Sequence, residues 1–183
     1  MIHRSIQSME EKYLLPSLEL IEQVFTESEN EEEGKLVRRL TEEIRSKKFY
    51  YPALEIIALD EEKNVIGYAQ FSRFHLEEKY EDELLLLSPV AVKTCYQRQH
   101  ISKDMIEYGF EKARELGFKA VIVEGNPLNY RPRGFVTASN HGILPGKTVH
   151  LPHIDCLMVK ELIPGGLENI HGRVEYSDYQ TLT

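Results

Sequence analysis

The first fifty residues alternate apolar and polar positions with the period of an α-helix. Pro16 suits a first helical turn, and apolar residues then recur three or four positions apart. The pattern predicts two helices, with apolar faces formed by Leu18, Ile21 and Phe25 in the first and by Leu36, Leu40 and Ile44 in the second. The glutamate-rich residues 27–34 lie between them, where we expect a solvated loop. Residues 2–6 precede the helices and are expected to form a short edge strand.

From residue 53 onward, short apolar runs bounded by turn residues replace the helical period, and such runs are typical of strands. The turn at 60–64 joins two runs into a hairpin. A long helix follows the third run and ends at Gly117. Its predicted buried face carries Ile101, Met105, Tyr108 and Leu116. The predicted strands span residues 53–59, 65–74, 84–92, 119–124, 156–162 and 173–176.

In chain order the predicted elements read β-α-α-β-β-β-α-β-α-β-β, where the last helix is a short helix or turn beginning at residues 125–127. This order predicts an α/β fold, a mixed β-sheet flanked by helices, and excludes an alternating doubly wound sheet. A length of 183 residues without repeat or linker predicts a single domain over 1–183, with a core of about 2–162 and a C-terminal strand and tail at 163–183. Proline cannot donate to a ladder, so Pro89 predicts a bulge or a splayed edge.

Composition restricts which classes of protein fit the sequence. The chain is 42% hydrophobic and 28% charged, which is ordinary for a soluble globular protein. Its longest apolar run, residues 84–87, is far shorter than the roughly 20 residues that span a membrane. Two cysteines and an N-terminus without an apolar signal segment favour a reducing, cytoplasmic location.

The net charge of −8 is unevenly distributed along the chain. Residues 1–90 hold 11 basic and 20 acidic side chains, and residues 91–183 hold 11 and 10. Nucleic acid is therefore excluded as a partner, because its phosphates require a basic patch. The acidic half would favour a cationic partner such as an amine, although solubility alone also explains it.

The most informative stretch for chemistry is VKTCYQRQHIS at 92–102, a polar turn that leads from the strand with Pro89 into the long helix. The N-terminus of a helix offers unpaired N–H groups and the positive end of the helix dipole, an arrangement that binds phosphates. Gln97 and Arg98 add side-chain donors. The alternative is a plain strand-to-helix connection capped by Ser102.

Two segments, LLLSPVAVKTCYQRQHIS at 85–102 and FKAVIVEGNPLNYRPRGF at 118–135, resemble the GNAT superfamily of acetyl-CoA-dependent N-acetyltransferases. More narrowly, they are similar to its bacterial YhbS-like subgroup, in which the strand resembles LGPLAV, the loop reads Q/R-x-x-G-x-G/A and a later segment reads G-D-P-x-Y-Y-x-x-x-G-F. The tail KELIPGGLENIHGRVEYSDYQ at 160–180 is also similar. The resemblance spans roughly residues 14–180 and implies the GNAT-like version of the predicted fold.

The resemblance also implies a reaction. An acceptor amine attacks the thioester of acetyl-CoA, and a backbone N–H of the splayed strand stabilises the oxyanion. Tyr130, four residues before Gly134, matches the tyrosine that protonates the leaving thiolate, although a single tyrosine can equally be a packing residue. The implied partners are a small-molecule or peptide amine and, as is common among relatives, a second copy in a homodimer. The implied acetyl-CoA-binding residues are Val90, Ala91, Val92, Gln97, Arg98, Gln99, His100, Ile101, Ser102 and Asn126.

Three departures from the family pattern leave alternatives open. His100 and Ser102 occupy the two glycine positions of the loop, and Asn126 replaces an aspartate. Glycine permits a positive φ and close backbone approach to a diphosphate, so His100 supports a second hypothesis, a non-catalytic acyl-CoA-binding or regulatory module. A third hypothesis is a small-molecule-binding or scaffold protein that shares only the topology.

Two further roles are not assigned by the sequence. Glu83, Asp82 and Glu124 are candidates for the general base only because they are near in sequence, and ordered water or an already neutral amine serves equally well. Residues 150–156 hold four side chains able to bind zinc, but Pro152 breaks any helix that would align the histidines. We therefore expect no metal, and read this segment as a loop leading into a strand.

Overall fold

The computed structural model describes all residues from 1 to 183. The α-helices are α1 Leu14–Ser28, α2 Glu31–Ser46, α3 Ile101–Glu115 and the short α4 Pro127–Tyr130. The strands are β1 Ser5–Ser8, β2 Glu55–Leu59, β3 Val65–Arg73, β4 Leu84–Val92, β5 Ala120–Glu124, β6 Val136–Thr137, β7 Ile143–Pro145, β8 Leu157–Glu161 and β9 Gly172–Val174. No helix combines the length and the apolar character that crossing a membrane requires.

Seven strands form one sheet in the order β1-β2-β3-β4-β5-β8-β6, and β7 pairs with β9 in a separate two-stranded sheet. The pairs β1–β2, β2–β3, β5–β8 and β6–β8 are antiparallel, whereas β4–β5 is parallel. This mixed sheet with helices confirms the predicted fold class. The chain divides into two compact units, a first unit of residues 1–71 and 89–112 and a second unit of residues 72–88 and 113–183.

In the first unit, helices cover both faces of the β2–β3 hairpin. Alternate residues of a strand point to opposite faces, so Tyr68 points toward α1 and α2 while its neighbour Gly67 faces Met105 of α3. Gly109 of α3 meets Phe71 so closely that an added β-carbon would lie 2.1 Å from the ring. The core on the α1 and α2 side includes Leu20, Ile21, Val24, Val37, Ile57, Leu59 and Tyr68.

The second unit has its own core, built from the first half of β4, from β5 and β8, and from the C-terminal segments. The apolar residues of these strands are almost wholly buried, as their unbroken apolar runs require. The short parallel pair of β7 and β9 packs its apolar side chains into the same cluster. This core includes Leu84, Leu86, Ile122, Ile143, Leu157, Val159, Ile170, Val174 and Tyr176.

Several predictions about the helices need correction. The expected loop at 27–34 is only two residues long, because Asn30 accepts a hydrogen bond from the Glu33 N–H at 2.9 Å and caps α2. Glutamates in a first helical turn are favoured by the helix dipole, so the acidic run belongs to the helix. Leu116 lies beyond the end of α3 and is 40% exposed, so the predicted face was wrong there. The buried residues of α3 include Ile101, Met105, Ile106, Phe110 and Ala113.

The predicted strands exist, most with shifted ends, but the last one does not join the main sheet. The edge strand expected at 2–6 is β1, three positions later. The segment expected at 173–176 is β9, which pairs in parallel with β7 and lies outside the main sheet. The sequence did not predict β6 or β7, whose two and three residues are too short for a periodic pattern.

Candidate functional site

The pairing of β4 with β5 ends early. The register joins Leu84–Leu86 to Ala120–Ile122, although β4 continues to Val92. Pairing therefore stops before Pro89, which agrees with the splayed edge that proline predicts. Beyond Leu86, the β4 backbone groups on this side are not engaged in the ladder to β5. Along this stretch Ala91 packs into the core of the first unit, while Val90 and Val92 are half-buried.

The pre-α3 loop, residues 93–100, follows directly and has an unusual backbone. Arg98 and His100 have φ angles of 62° and 64°, in the left-handed region that favours glycine. His100 stands at a glycine position of the family motif and keeps the conformation that glycine would supply. The helix begins at Ile101, so Ser102 is its second residue and not the cap that the sequence suggested.

Side-chain hydrogen bonds hold this loop in place from both ends. The Gln97 amide donates to the Val92 carbonyl at 3.1 Å, and the Gln99 carbonyl oxygen accepts from the Ile2 N–H at 2.9 Å. The Thr94 hydroxyl donates to the Glu27 carboxylate at the end of α1, and this bond lowers the pKa of Glu27. Gln97 and Gln99 thus serve the loop itself, whereas the side chains of Arg98 and His100 are exposed.

The first turn of α3 carries a charge that would repel an anion unless it were compensated. Asp104 accepts from the Nε of Arg4 at 3.0 Å and pairs with a terminal guanidinium nitrogen at 2.5 Å. The Arg4 side chain is 12% exposed and that of Asp104 is 39% exposed, so the pair is partly buried. The Arg98 side chain is thus exposed just before a helix start whose first-turn carboxylate, Asp104, is compensated by Arg4.

In the second unit, two predicted residues follow β5. The Asn126 side chain accepts from the Leu128 N–H at 3.0 Å and caps α4. The Tyr130 ring packs on Gly125, where an added β-carbon would lie 2.5 Å from the ring, and it meets Phe135 edge to face at 5.6 Å. Burial raises the pKa of Tyr130, so its hydroxyl is protonated at neutral pH. Tyr130 therefore has both a packed ring and a protonated hydroxyl.

Glu124 ends β5 beside a cavity of about 460 Å³. The Tyr176 hydroxyl donates to the Glu124 carboxylate at 2.6 Å, and burial raises the pKa of Tyr176 so that it remains a donor. The sequence did not predict Tyr176 as part of a site, because 52 positions separate it from Glu124, and it considered Cys156 only as a zinc ligand. The cavity is lined by Glu124, Gly125, Asn126, Pro127, Pro152 and Cys156.

The three carboxylates considered as general base have different surroundings in the structure. Glu83 pairs with the Lys119 ammonium at 2.8 Å, and Asp82 is an exposed turn residue. Glu124 is the one of the three that lines the cavity.

The segment at 150–156 is held by hydrogen bonds within itself and from β6. The His153 ring accepts from the Asp155 N–H at 3.2 Å, and Asp155 accepts from the Thr137 hydroxyl at 2.9 Å. The segment leads into β8 as a short 3₁₀ turn. No group of three or more His, Cys, Asp or Glu side chains is arranged to hold a metal ion.

Comparison with known proteins identifies relatives in sequence and in fold. The chain is 28% identical over 154 residues to an uncharacterized N-acetyltransferase, YhbS, of Escherichia coli K12, covering 82% of this chain and 84% of that protein. The crystal structure of Escherichia coli YhbS in complex with CoA superposes with a TM-score of 0.80 at 25% identity, over 96% of this chain and 91% of that one. A GNAT family acetyltransferase from Brucella melitensis in complex with acetyl-CoA has the same fold, with a TM-score of 0.73 at 19% identity over the full length of both chains. The family model of the GNAT acetyltransferases matches residues 18–138, and the chain belongs to this family.

Proposed function

We propose that the protein is an acetyl-CoA-dependent N-acetyltransferase that transfers the acetyl group to a primary amine. Family membership supports the class of reaction, and the complexes of similar chains with CoA and acetyl-CoA support the donor. The observation that carries the proposal is the pre-α3 loop, because its left-handed residues turn the backbone into the start of a long helix.

The loop would bind the diphosphate of acetyl-CoA. The N–H groups at the start of α3 and the helix dipole attract an anion, and the exposed Arg98 supplies a charge-assisted donor. Gln97, Gln99 and Thr94 hold the loop, and Arg4 compensates Asp104. His100, Ile101 and Ser102 would contribute through their backbone. Asn126 is a cofactor contact that the family motif implies, independently of this loop. Left-handed backbone at non-glycine residues costs free energy, and such outliers are concentrated at ligand sites.

The backbone of Val90, Ala91 and Val92, which is not paired with β5, would bind the pantetheine arm. The neutral acceptor nitrogen attacks the acetyl carbonyl carbon, so that an N–C bond forms and the C–S bond breaks. The nitrogen loses one proton to a base or to water, and the thiolate of CoA gains one proton. A β4 N–H group would stabilise the oxyanion between these steps.

We assign the proton donated to the thiolate to Tyr130. Its position before Gly134-Phe135 matches the family motif, and its raised pKa keeps the phenol protonated at working pH. The same raised pKa makes Tyr130 a weaker acid, which lowers the driving force for proton transfer to a thiolate of ordinary pKa near 8.5. A donor of this kind is nevertheless useful, because it stabilises the developing negative charge on sulfur by a hydrogen bond.

Calorimetry with acetyl-CoA tests the binding half of the proposal. We expect the wild-type protein to bind, and Arg98→Glu to weaken binding about tenfold or more, because a charge-assisted donor becomes a repelling charge. Arg39→Glu, an exposed reversal on α2, is the matched control and should bind like the wild type. Absence of heat with the wild-type protein at millimolar acetyl-CoA would refute the proposal.

The chemical half is tested by release of free CoA thiol in the presence of a panel of amines. Tyr130→Phe keeps the ring on Gly125 and removes only the hydroxyl, so we expect acetyl-CoA affinity to persist and turnover to fall about 100-fold. Because Cys95 is exposed, each assay needs a protein blank. Wild-type turnover in Tyr130→Phe would make the tyrosine a packing residue, and a wild-type protein that binds acetyl-CoA without turnover on any amine would favour the binding module.

The role of His100 is resolved by two variants. His100→Gly relieves the left-handed strain and should stabilise the fold by about 1 kcal/mol, without loss of acetyl-CoA affinity. His100→Ala removes the imidazole but keeps the strain, so its affinity should equal that of the wild type. A drop in affinity in both variants would instead assign a phosphate contact to the imidazole.

A further inference from the structure

The cavity beside Glu124 lies entirely within the second unit and has a volume of about 460 Å³, within the range of small-molecule sites. Its walls are mostly apolar or small, with two prolines, a glycine and the half-buried Cys156 thiol. Asn126 is engaged in capping α4 through its carbonyl oxygen. Glu124 is the one carboxylate side chain in the wall.

Glu124 is held but not neutralised. The Tyr176 hydroxyl fixes the carboxylate at 2.6 Å, and no basic side chain pairs with it. Tyr176 is itself buried, packs edge to face with Phe74 at 6.4 Å and donates its own backbone N–H to the Thr148 hydroxyl at 2.8 Å. Other carboxylates of this unit do have basic partners, such as Glu83 with Lys119. A positioned carboxylate without a cation, at the edge of an apolar cavity, is suited to receive a cation from outside.

We propose that this cavity binds an organic cation, with the ammonium group on the Glu124 carboxylate and an apolar body between Pro127, Pro152 and Cys156. This inference rests on the proposed function, since the bound molecule would be the amine acceptor. A carboxylate and an ammonium form a charge-assisted hydrogen bond, which is stronger than a neutral one. The apolar wall adds affinity through the burial of hydrocarbon surface. The substrate class is thus a primary amine with a compact hydrophobic body, and an acidic or strongly polar acceptor is excluded.

The two free cysteines allow a test that does not depend on acetyl transfer. Cys156 lines the cavity, whereas Cys95 is exposed in the first unit, so Cys95 is an internal control. Iodoacetamide alkylation of both thiols is followed by mass spectrometry, without and with phenethylamine at neutral pH. Its uncharged analogue 2-phenylethanol has a similar size and shape. We expect phenethylamine to slow alkylation of Cys156 at least about threefold with Cys95 unaffected, and 2-phenylethanol to protect clearly less.

Substitutions of Glu124 then separate the effect of its charge from the effect of the ligand's shape. Glu124→Gln keeps the acceptor for Tyr176 and removes the charge, so protection by phenethylamine should fall to the level of the alcohol. Glu124→Asp keeps the charge, so phenethylamine should still protect Cys156 partly in this variant. Glu115→Gln removes an exposed carboxylate from the end of α3. In this control, phenethylamine should protect Cys156 as it does in the wild-type protein. Glu124 is exposed at the cavity rim, so we expect circular dichroism of Glu124→Gln to match that of the wild type.

Each failure has a distinct meaning. Equal protection by amine and alcohol in the wild-type protein would overturn the charge recognition, and no protection of Cys156 by phenethylamine would overturn the cavity as an amine site. Acetyl-CoA calorimetry on the same protein tests the proposed function separately. Normal acetyl-CoA binding without amine protection overturns only this inference, whereas absent acetyl-CoA binding overturns the proposed function even when the amine protects.

Discussion

Two glutamates at strand ends, one in each unit, show how surroundings separate a structural carboxylate from a candidate functional one. Glu55 begins β2 and is wholly buried, with the Arg45 guanidinium Nε at 2.7 Å and the Tyr68 hydroxyl as a further donor. Glu124 ends β5, accepts from the Tyr176 hydroxyl and has no basic partner. Both carboxylates are fixed by tyrosine, but only Glu55 is neutralised from within the fold.

The difference follows from the cost of burial. A buried charge needs a partner and satisfied hydrogen bonds, and Glu55 has both, since Tyr50 donates to its second oxygen at 2.5 Å. Arg45 is satisfied in turn by the Ser17 hydroxyl at 2.8 Å and the Leu14 carbonyl at 3.1 Å, which ties α1 to α2. A carboxylate beside a cavity can be hydrated when empty, so it needs no internal cation and stays available to a ligand.

The largest expected effect comes from removing the cation on Glu55. Arg45→Met leaves a buried carboxylate without its partner, so the free energy of unfolding should fall by about 3–5 kcal/mol. Urea denaturation followed by circular dichroism measures it. Arg39→Met, on an exposed position of α2, is the control and should change stability by less than about 0.5 kcal/mol.

If Arg45→Met does not fold, Arg45→Lys provides the measurement, because it keeps the charge and loses only the forked hydrogen bonds. Its loss should be smaller than that of the Met variant. An Arg45→Met protein as stable as the wild type would show that the pair is not structural, and the contrast with Glu124 would disappear.

A smaller effect is expected from the two tyrosine hydroxyls. Tyr68→Phe removes a buried hydrogen bond to a charged group and should destabilise by about 1.5–3 kcal/mol. Tyr176→Phe should cost about 1 kcal/mol or less, because water can replace the hydroxyl on the exposed Glu124. The same denaturation measurement compares the two variants. Equal losses would indicate that Glu124 is as structural as Glu55.

The smallest effect is a loss of stability at high pH. Burial, and then the nearby Glu55 carboxylate, raises the pKa of Tyr68, and burial followed by Glu124 raises that of Tyr176. Below about pH 10 both states hold these protons, and above it the unfolded chain loses them first, so stability should fall as pH rises. At pH 10, where half of the unfolded-state hydroxyls are ionised, we expect a loss of about 0.4 kcal/mol per tyrosine.

Ultraviolet absorbance of the phenolate against pH checks this expectation. Tyr68 and Tyr176 should ionise only as circular dichroism reports unfolding, because burial raises the pKa of both hydroxyls. Tyr68→Phe should weaken the pH dependence of stability. Ionisation of all ten tyrosines in the folded protein would contradict the buried hydrogen bonds.

Much of the fold follows from local patterns. The period of Leu18 and Ile21, and the apolar runs of β2 to β5, predict elements that are present, because one face of each must be buried. Pro89 predicts the end of β4 pairing since proline lacks an N–H. The pattern fails where elements are too short, as for β6, and where a cap extends a helix into a charged run, as at Asn30.

In the candidate site, too, some features follow from the sequence and others only from the tertiary structure. The sequence by itself determined where a phosphate-binding turn is predicted, through a polar segment at a helix start and a family motif, and it selected Tyr130 from ten tyrosines by motif position. Only the tertiary structure decided which carboxylates are neutralised. Arg45 reaches Glu55 and Tyr176 reaches Glu124 across 10 and 52 positions, by pairing of helices and strands that no local pattern encodes. Long-range contacts depend on packing of the whole core, so the chemistry of a charged side chain is set by neighbours that the sequence does not place beside it.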